Sequence, residues 1–505
     1  MFANEAGVMA EELGKSESAL VEARRKNLET LRSRGNDPFL QTRYAVDSSV
    51  AALTEKYAFL VPEQHAETEA WSIAGRLMAK RRMGKTIFAD ITDRTGRIQL
   101  YVRKDEIGED RFQDWIDLDI GDIVGVHGFM FRSKMGELTL HVREFDVLCK
   151  SLYPLPDKWH GLTDVEKRYR QRYVDLIMNP DVRDAFVMRS RLIAEMRRFI
   201  DSYGFYEVET PTLLHVAGGA AARPFVTHVN ALDQVMQMRI ATELNLKRLI
   251  VGGMERVYEI GRIFRNEGID TTHNPEFTML ELYAAYWDVS DMMEFNEALI
   301  AHLVSVVSGG KDELQIGDRS VSFKRPFMRI DYLDAIKQFG GYAREQLLDP
   351  AGAAQILREL GLPESPTHGH ALDKIFERVL EPNLTQPTFV TGYPVIISPL
   401  AKRRRGDPDI TDRYELFCTS MEISNAFTEL NDPEDQRGRF EAQIAERALG
   451  DEEIPEPDWD FVRALEYGMP PTAGIGIGVD RLIMLLTNNP SIRDVILFPL
   501  QRQHG

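Results

Sequence analysis

The chain contains very little cysteine. Of its 505 residues only Cys149 and Cys418 are cysteines, and they lie far apart with no CxxC pair. Structural zinc sites and disulfide frameworks depend on sets of spaced cysteines, so the sequence predicts neither. Low cysteine content fits a reducing compartment, and we expect a cytoplasmic protein.

Long apolar runs are also missing. No stretch approaches the roughly 18 apolar residues of a membrane-spanning helix, so the sequence predicts no membrane partner. The first residues, MFANEAGVMAEELGKSE, lack the basic start and apolar stretch of a secretory signal.

Positive charge is in deficit overall, since the formal net charge is −18. Net charge governs long-range steering, whereas local patches make contacts, so nucleic acid is not excluded as a partner. Four basic clusters occur, and each taken alone also fits a solvated surface. They are Arg24-Arg25-Lys26, Lys80-Arg81-Arg82, the alternating Arg168, Arg170 and Arg172, and Lys402-Arg403-Arg404-Arg405.

The sequence of the N-terminal third predicts a helix followed by a β-barrel. Residues 16–34 carry apolar residues at helical spacing. Five β-rich runs follow between residues 71 and 149, with a helix over 109–118 before the fourth. This order matches an OB-fold, a frequent oligonucleotide-binding barrel, although order alone also fits other small barrels.

We divide the chain into four parts on this basis. They are an N-terminal helical extension (1–70), an OB-fold domain (71–150), a linker (151–180) and a larger α+β region (181–505) with a mostly helical insertion at about 310–380.

A strand with alternating glycines stands near the C-terminus, in GIGIGVDRLIMLLT. Gly474, Gly476 and Gly478 fall on one strand face, which leaves a bare surface where a flat ring can lie. Asp480 and Arg481 then open an apolar helix, and an arginine beside free backbone N–H groups suits a phosphate. The segment is neither GxxxxGK[ST] nor GxGxxG, and alone it also fits close packing of strand against helix.

A second segment, ERVYEIGRIFRNEG followed by HNPEFTMLELY, predicts a strand, a polar loop and a returning strand. Phe277, Met279, Glu281 and Tyr283 share one face of the returning strand. A ring, an acid and a phenol are typical of a binding site, since a core strand would carry aliphatic residues there. The alternative places Glu281 on the solvent face of an edge strand.

A third segment, YELFCTSMEISNAFTELNDPEDQ, places polar residues on another strand face. The alternating residues are Asn425, Phe427 and Glu429. Glu415 and Glu422 bracket a turn, and carboxylates on neighbouring strands are good Mg²⁺ ligands. Because Glu422 has the opposite parity to Asn425, a bulge or a strand start near Ser424 is needed for all of them to face one cleft.

Together the three segments resemble the signature motifs of class II aminoacyl-tRNA synthetases. The first motif corresponds to the helix ending at Tyr203 and Gly204 with the strand FYEVETPTLL, the second to the hairpin 256–283, and the third to GIGIGVDR. Within that class the chain resembles the bacterial lysine enzymes along nearly its whole length. The stretches that carry this resemblance are GRIQLYV, LPDKWHGLTDVEKRYRQRYVDLI, GGAAARPF, RIATELNLKRLIVGG, NAFTELNDPEDQ and MPPTAGIGIGVDRLIMLLTNNPSIRDVILFP.

The resemblance implies an α+β fold, in which an N-terminal OB-fold β-barrel precedes a class II catalytic domain with an antiparallel sheet flanked by helices. It implies ATP-dependent activation of lysine and its transfer to tRNA(Lys). The lysine carboxylate attacks the α-phosphorus, so catalysis is positioning and charge stabilisation, with no protein base. The implied catalytic residues are Arg265 on the α-phosphate and Arg481 on the γ-phosphate.

Two sets of ligand residues follow from the resemblance. The implied ATP-binding residues are Arg265, Glu267, His273, Asn274, Phe277, Glu415 and Arg481, and the ligands of the Mg²⁺ cofactor are Glu415 and Glu422. The implied lysine-binding residues are Gly219, Glu243, Glu281, Tyr283, Asn425, Phe427 and Glu429. Three acids suit a substrate ammonium, which is costly to bury unpaired, and they would repel aspartate.

The implied partners are tRNA and a second copy of the chain. In the OB domain, Phe88 would stack an anticodon base while Arg76, Gln99 and Glu137 read base edges. The basic helix 16–34 and Lys80–Arg82 would contact phosphate. The first motif implies a homodimer, because its helix and strand build the subunit interface in this class.

The chain departs from the family pattern at a few positions. Thr242 and Asn245 stand where the family commonly has Pro and Tyr, and Thr419, Ser420 and Ala426 stand where glycine is frequent. None of these changes replaces a charged pocket residue.

Three alternative functions remain at this stage. An aspartyl- or asparaginyl-tRNA synthetase shares the architecture, but Glu243, Glu281 and Glu429 argue against it. A paralogue acting on a protein typically lacks the OB domain, and one acting on a lipid usually carries membrane segments. A non-catalytic RNA-binding protein would not need the arginines and acids that are intact here.

Overall fold

The chain divides into two units, Met1–Leu162 and Thr163–Gly505. The computed structural model describes residues 2–156, 162–448 and 456–502, without the side chains of residues 2–17, 446 and 448. Within the described residues, no helix has both the length and the apolar character needed to cross a membrane.

The first unit is built on a closed five-stranded barrel with the order β1-β2-β3-β5-β4. Its strands are β1 (His65–Met83), β2 (Thr86–Thr92), β3 (Arg97–Arg103), β4 (Ile123–Arg132) and β5 (Leu138–Cys149). Its helices are α1 (Phe2–Ser33), α2 (Val50–Lys56), α3 (Lys104–Ile107) and α4 (Glu109–Asp117). Helix α4 precedes β4, and the predicted OB-fold is confirmed.

Alternation of side chains explains this barrel. On β2 and β3 every second residue is a buried aliphatic, as with Ile91 and Leu100, and the residues between them face outwards. The outer elements differ slightly from the sequence prediction. Helix α1 begins near residue 2 rather than 16, and β1 begins at His65 rather than 71.

The second unit contains the remaining elements. Its helices are α5 (Val165–Arg170), α6 (Arg172–Met178), α7 (Pro180–Ser202), α8 (Glu243–Val251), α9 (Val289–Ser308), α10 (Tyr332–Gly340), α11 (Arg344–Leu348), α12 (Pro350–Glu359), α13 (His368–Val379), α14 (Pro433–Ala448), α15 (Trp459–Glu466), α16 (Val479–Leu486) and α17 (Ile492–Val495). Its strands are β6 (Tyr206–Glu207), β7 (Leu213–Leu214), β8 (Val226–Val229), β9 (Gln234–Met238), β10 (Arg256–Phe264), β11 (Glu276–Ala285), β12 (Glu313–Ile316), β13 (Arg319–Ser322), β14 (Met328–Asp331), β15 (Thr388–Thr391), β16 (Arg403–Arg404), β17 (Asp407–Thr411), β18 (Arg413–Cys418), β19 (Met421–Thr428) and β20 (Thr472–Gly478).

An eight-stranded sheet with the order β14-β15-β18-β19-β20-β11-β10-β6 dominates this unit. From β15 to β10 neighbouring strands are antiparallel, as predicted. One face carries aliphatic residues such as Leu280, Leu282, Ile475 and Ile477, which join helices α7, α9 and α16 in the largest core cluster. Because side chains alternate along a strand, the residues between them are placed on the opposite face.

The segment predicted as a mostly helical insertion, about 310–380, is mixed. Helices α10 to α13 form a separate apolar cluster with Val390 and Phe417 of the main sheet. Residues 313–331 instead form strands, since β12 pairs with β13 and β14 pairs with β15. Two short helices, α5 and α6, lie within the range predicted as a linker.

The two-residue turn between β18 and β19 is strained and offers a stability test. Thr419 and Ser420 both have positive φ values, +53° and +59°, where a side chain is unfavourable by about 1–2 kcal/mol. We expect Ser420→Gly to raise the free energy of unfolding by about 1 kcal/mol, after the entropic cost of glycine is subtracted. Urea denaturation followed by tryptophan fluorescence measures this change. Ser420→Ala keeps the Cβ and should give no gain; an equal gain would contradict the strain.

Candidate functional site

The face of the main sheet opposite the core forms the floor of a cleft of about 530 Å³. All the predicted ATP, lysine and metal residues line this cleft, except Glu429, which lies beneath it. Side chains from four strands meet there in cross-strand rows. One row is Glu281, Gly476, Asn425 and Glu415, and the next is Tyr283, Gly474, Phe427 and Arg413.

A bulge in β19 brings the acid pair to this face. Leu416 pairs with Ser424 and Phe417 with Glu422, so Ile423 is the extra residue. The insertion reverses the alternation of side chains, and Glu422 then lines the cleft together with Glu415. Of the two possibilities predicted near Ser424, a bulge or a strand start, the structure has the bulge.

Because Gly474 has no side chain, Glu429 and the Tyr283 ring can lie close to its backbone at the deep end of the cleft. A Cβ atom at this position would overlap Glu429 Oε1 and the ring of Tyr283. At Gly478, by contrast, the nearest atoms to such a Cβ belong to the Arg481 side chain, 3.7 Å away. Glycine is therefore required at position 474 by the side chains of Glu429 and Tyr283, and not by close packing of the strand against the following helix.

Three buried acids surround this deep end. Glu243 begins helix α8, Glu281 lies in β11, and Glu429 follows β19. Burial, with a contribution from the charge of Glu243, raises the pKa of Glu281 to about 7. Burial also raises the pKa of Glu429, against the opposing effect of Lys247. These acids favour a cation, since an added positive charge would stabilise all three carboxylates.

The loop around Gly219 closes over the same acids. Its φ of +92° suits glycine, and a Cβ would press on the Cβ atoms of Ala241 and Glu243 at 3.1 Å. The backbone N–H of Thr242 donates to Glu281 Oε1 at 3.1 Å. The family pattern has proline at this position, and proline has no backbone N–H to donate. The threonine found here therefore adds a hydrogen bond that stabilises the ionised form of Glu281.

Two arginines also line the cleft and can bind an anion. The Arg265 guanidinium lies 5.3 Å from the centroid of the Phe277 ring, and its Nε donates to the Ile240 carbonyl at 3.3 Å. Arg481 Nη1 lies 3.2 Å from Glu422 Oε2, and its Nη2 donates to His273 Nε2 at 3.0 Å. Two guanidinium groups on one cleft can hold a polyphosphate.

The remaining predicted nucleotide residues flank these arginines. Glu267 and His273 are exposed on the loop after β10, and Asp270 contacts His273 Nδ1 at 2.8 Å. Asn274 is buried and its side-chain amide donates to the Glu276 carbonyl at 2.6 Å.

Two acids could contribute to a metal site. Burial, with Arg413 opposing and Glu422 adding, raises the pKa of Glu415 to about 7. Its carboxylate accepts from Arg413 at 2.6 Å and from the Tyr393 hydroxyl at 2.7 Å. No cluster of three or more His, Cys, Asp or Glu side chains with metal-binding geometry occurs in the described ranges. A cation at Glu415 and Glu422 would therefore need oxygen ligands from a substrate such as a polyphosphate.

Sequence reasoning missed three charged residues of the site. Arg413 donates to Asn425 Oδ1 at 3.1 Å and to the Glu415 carboxylate. Because it precedes Glu415 by two residues on one strand, the sequence could have placed both side chains on the same face. Asp480 pairs with Arg189 at 2.6 Å and accepts from the Thr278 N–H, which anchors the start of α16. Lys247 contacts two of the buried acids, and it follows Glu243 by one helical turn.

The predicted anticodon residues lie on the barrel unit. Phe88 and Gln99 face outwards from adjacent strands, and the Phe88 ring lies 5.1 Å from that of Tyr101. Gln99 Nε2 donates to Glu137 Oε2 at 3.2 Å, and Arg76 donates to the Gly121 carbonyl at 2.7 Å. A half-buried ring beside polar groups fits the stacking of a single-stranded base.

The basic residue Lys80 has a different role from the one predicted. Its ammonium donates to the carbonyls of Trp115 at 3.2 Å, Ile116 at 2.8 Å and Leu118. It satisfies the free carbonyl groups at the C-terminal end of α4 and is not the predicted phosphate contact. Arg24 in the first basic cluster is likewise buried and donates to the Ser151 carbonyl at 2.8 Å.

Comparison with known proteins identifies the second unit. A family model described as tRNA synthetases class II (D, K and N) matches residues 164–502, more than half of the chain. The chain belongs to this family. A second model, for an OB-fold nucleic acid binding domain, matches residues 71–148.

Two relatives that match along nearly their whole length are both lysine–tRNA ligases. A lysine–tRNA ligase of Halalkalibacterium halodurans is 53% identical over 497 residues, which cover 98% of each chain. A lysine–tRNA ligase of Staphylococcus aureus is 51% identical over 485 residues, covering 95% of this chain and 98% of the relative. The resemblance read from the motifs is confirmed at the level of the family and of its lysine-specific members.

Proposed function

We propose that the chain is a lysine–tRNA ligase that activates L-lysine with ATP and transfers the lysyl group to tRNA(Lys), in the cytoplasm. The observation that carries the proposal is the group of three buried acids, Glu243, Glu281 and Glu429, beside the same glycine strand that leads to Arg481. Three buried acids favour a cationic substrate, whereas a pocket for aspartate would require cations in their place.

The chemistry follows from the arrangement of the cleft. The charge of Arg265 interacts with Glu281 at the acid end and with Glu422 and Arg481 at the other end. Arg265 is therefore placed to hold the α-phosphate while the lysine carboxylate attacks the α-phosphorus and pyrophosphate leaves. Phe277 offers its ring to the adenine and Arg481 its guanidinium to the γ-phosphate. Because the nucleophile arrives already ionised, the protein contributes orientation and charge stabilisation rather than proton transfer.

The two carboxylates Glu415 and Glu422 fit a Mg²⁺ ion shared with ATP. Both are oxygen donors on one face of the cleft, and their repulsion contributes to the raised pKa of Glu415. The ion would neutralise phosphate charge when bound. Arg413 then fixes the Glu415 carboxylate in place.

A homodimer is the proposed assembly. Apolar residues around the first motif and the small β7-β9-β8 sheet are exposed in the single chain, and they would be covered by a second copy. They are Tyr206 and Leu213 of the motif and Val226 and Val235 of the sheet.

Binding of lysine near neutral pH is expected to release protons. With its pKa raised to about 7, Glu281 is about half protonated at pH 7 in the free protein. A bound ammonium favours the carboxylate and lowers this pKa, so lysine affinity rises as the pH increases through about 7 and then levels off. Calorimetry in buffers of different ionisation enthalpy should find net proton release at pH 7, to which Glu281 contributes about half a proton. Glu281→Gln should reduce this release by that amount, and an unchanged release would contradict the assignment.

Aminoacylation with purified tRNA tests the whole proposal. We expect the protein to esterify lysine to tRNA(Lys), and Phe88→Ala to raise the KM for tRNA while leaving lysine activation without tRNA unchanged. Failure to charge tRNA(Lys), with lysine activation intact, would show that the acceptor is wrong.

A further inference from the structure

Lys247 is a fully buried cation that the proposed reaction does not use. It lies in α8 with 0% of its surface exposed, one turn after Glu243. Its ammonium lies 2.5 Å from Glu243 Oε1 and also contacts Glu429 Oε2. The rings of Phe427 and Phe461 stand 5.4 and 5.6 Å from the ammonium, so it is enclosed by carboxylates and aromatic faces.

One of these acids also presents an oxygen atom that lacks a partner. Glu429 Oε1 is buried and accepts no hydrogen bond in the described part of the chain, whereas the Glu281 carboxylate interacts with the side chains of Tyr283 and Thr242. Glu429 Oε1 lies beside Gly474, at the floor of the cleft, whereas Oε2 of the same carboxylate contacts Lys247. A buried acceptor without a donor is costly, which indicates that a ligand donor completes it.

The charges at this end of the cleft are matched to a substrate with two ammonium groups. When ionised, Glu243, Glu281 and Glu429 carry three negative charges, and Lys247 offsets one of them. Two negative charges remain among these four groups, and free lysine brings an α- and an ε-ammonium. Arg265, whose charge also acts on Glu281, is left for the substrate carboxylate and the α-phosphate. Without Lys247 the pocket would hold one more carboxylate than the substrate can neutralise.

We propose that Lys247 is a positioning residue for substrate selection, a built-in counter-ion that orients Glu243 and Glu429 and sets the pocket charge for a dicationic amino acid. This inference rests on the proposed function of the cleft. Lys247 acts through the two carboxylates and does not itself touch the substrate.

The pH behaviour of the pocket should reveal this role. The titratable groups that face Lys247 or its two carboxylates are Glu243, Glu281, Tyr283 and Glu429. Burial alone would lower the pKa of Lys247, but the two carboxylates outweigh it and raise that pKa. With the ammonium removed, burial and mutual repulsion favour protonation of one of the acids, which must lose its proton before it binds a substrate cation.

The test compares Lys247→Met with Arg248→Met, which removes the next cation of α8. Arg248 pairs with Asp458 at 2.8 Å and contacts none of the three acids. Calorimetry gives the Kd of lysine and of ATP for each protein between pH 6 and 8.5. The ratio of variant to wild-type Kd cancels the titration of lysine itself.

We expect Lys247→Met to weaken lysine binding about tenfold or more at pH 7, with the ratio shrinking as the pH rises. The Kd of ATP should stay unchanged, and Arg248→Met should bind lysine as the wild type does. Lysine binding that is unchanged or tighter in Lys247→Met would overturn the inference. So would a loss that is independent of pH, since a general loosening of the fold predicts that result.

Lys247→Arg provides the second variant in case the methionine variant does not fold. It retains the charge and should keep the wild-type pH profile with most of the lysine affinity. A profile shifted to higher pH in this charge-conserving variant would contradict the counter-ion role. The wild-type measurement separates the two proposals, because absence of lysine binding there would remove the proposed function itself.

Discussion

Replacing Gly474 with alanine is expected to reduce lysine-dependent activation by about 100-fold, the loss typical of a misplaced reacting group. The new Cβ would overlap Glu429 Oε1 and the ring of Tyr283, which form the deep end of the cleft. The KM for lysine should rise far more than the KM for ATP. Steady-state ATP–pyrophosphate exchange at varied lysine and varied ATP separates the two effects.

Gly478→Ala is the matched control on the same strand. The three atoms nearest to its Cβ would belong to the Arg481 side chain, at ordinary contact distances of 3.7 Å and more. We expect this variant to bind lysine in the absence of ATP with wild-type affinity. If Gly474→Ala also bound lysine normally, the deep end of the cleft would not be the lysine pocket.

Arg265→Ala should lower the rate of adenylate formation by about 100-fold or more, because it removes a preorganised charge from the site of the transferred phosphate. Arg265 lies over the Phe277 ring and its charge interacts with Glu281, so it is near the point where the α-phosphate and the lysine carboxylate are proposed to meet. Single-turnover kinetics with saturating ATP and lysine measures this step. The Kd of lysine should change much less than the rate.

Arg262→Ala removes a cation from the same hairpin without entering the cleft. Arg262 is exposed at the surface and pairs with Glu276 at 3.6 Å. An exposed pair of this kind contributes little, so adenylate formation should proceed at the wild-type rate. Equal losses in Arg262→Ala and Arg265→Ala would indicate damage to the hairpin instead of a catalytic contact.

Much of the sheet was predictable from the alternation of residues along single strands. The pattern at Phe277, Glu281 and Tyr283 and the glycine pattern at 474–478 each assign a face from local sequence alone. The parity conflict at Glu422 predicted a bulge or a strand start near Ser424, and the structure has the bulge.

What the sequence could not provide is which residues meet across strands and helices. The contact between Lys247 and Glu429 joins positions 182 apart, and it depends on how α8 packs beside the end of β19. Lys80 shows the same limitation in the barrel unit. Its position in a basic cluster suggested a phosphate contact, but the three-dimensional position of the end of α4 determines its partners.

Amino-acid-dependent ATP–pyrophosphate exchange without tRNA tests the central claim most directly. The panel should contain lysine, arginine, ornithine, aspartate and asparagine, each with Mg²⁺ and ATP. We predict exchange with lysine and none with aspartate or asparagine, because the three buried acids at the deep end of the cleft favour a cationic side chain over an acidic or a neutral one. Exchange with aspartate or asparagine instead, or no exchange with any amino acid, would contradict the proposed function.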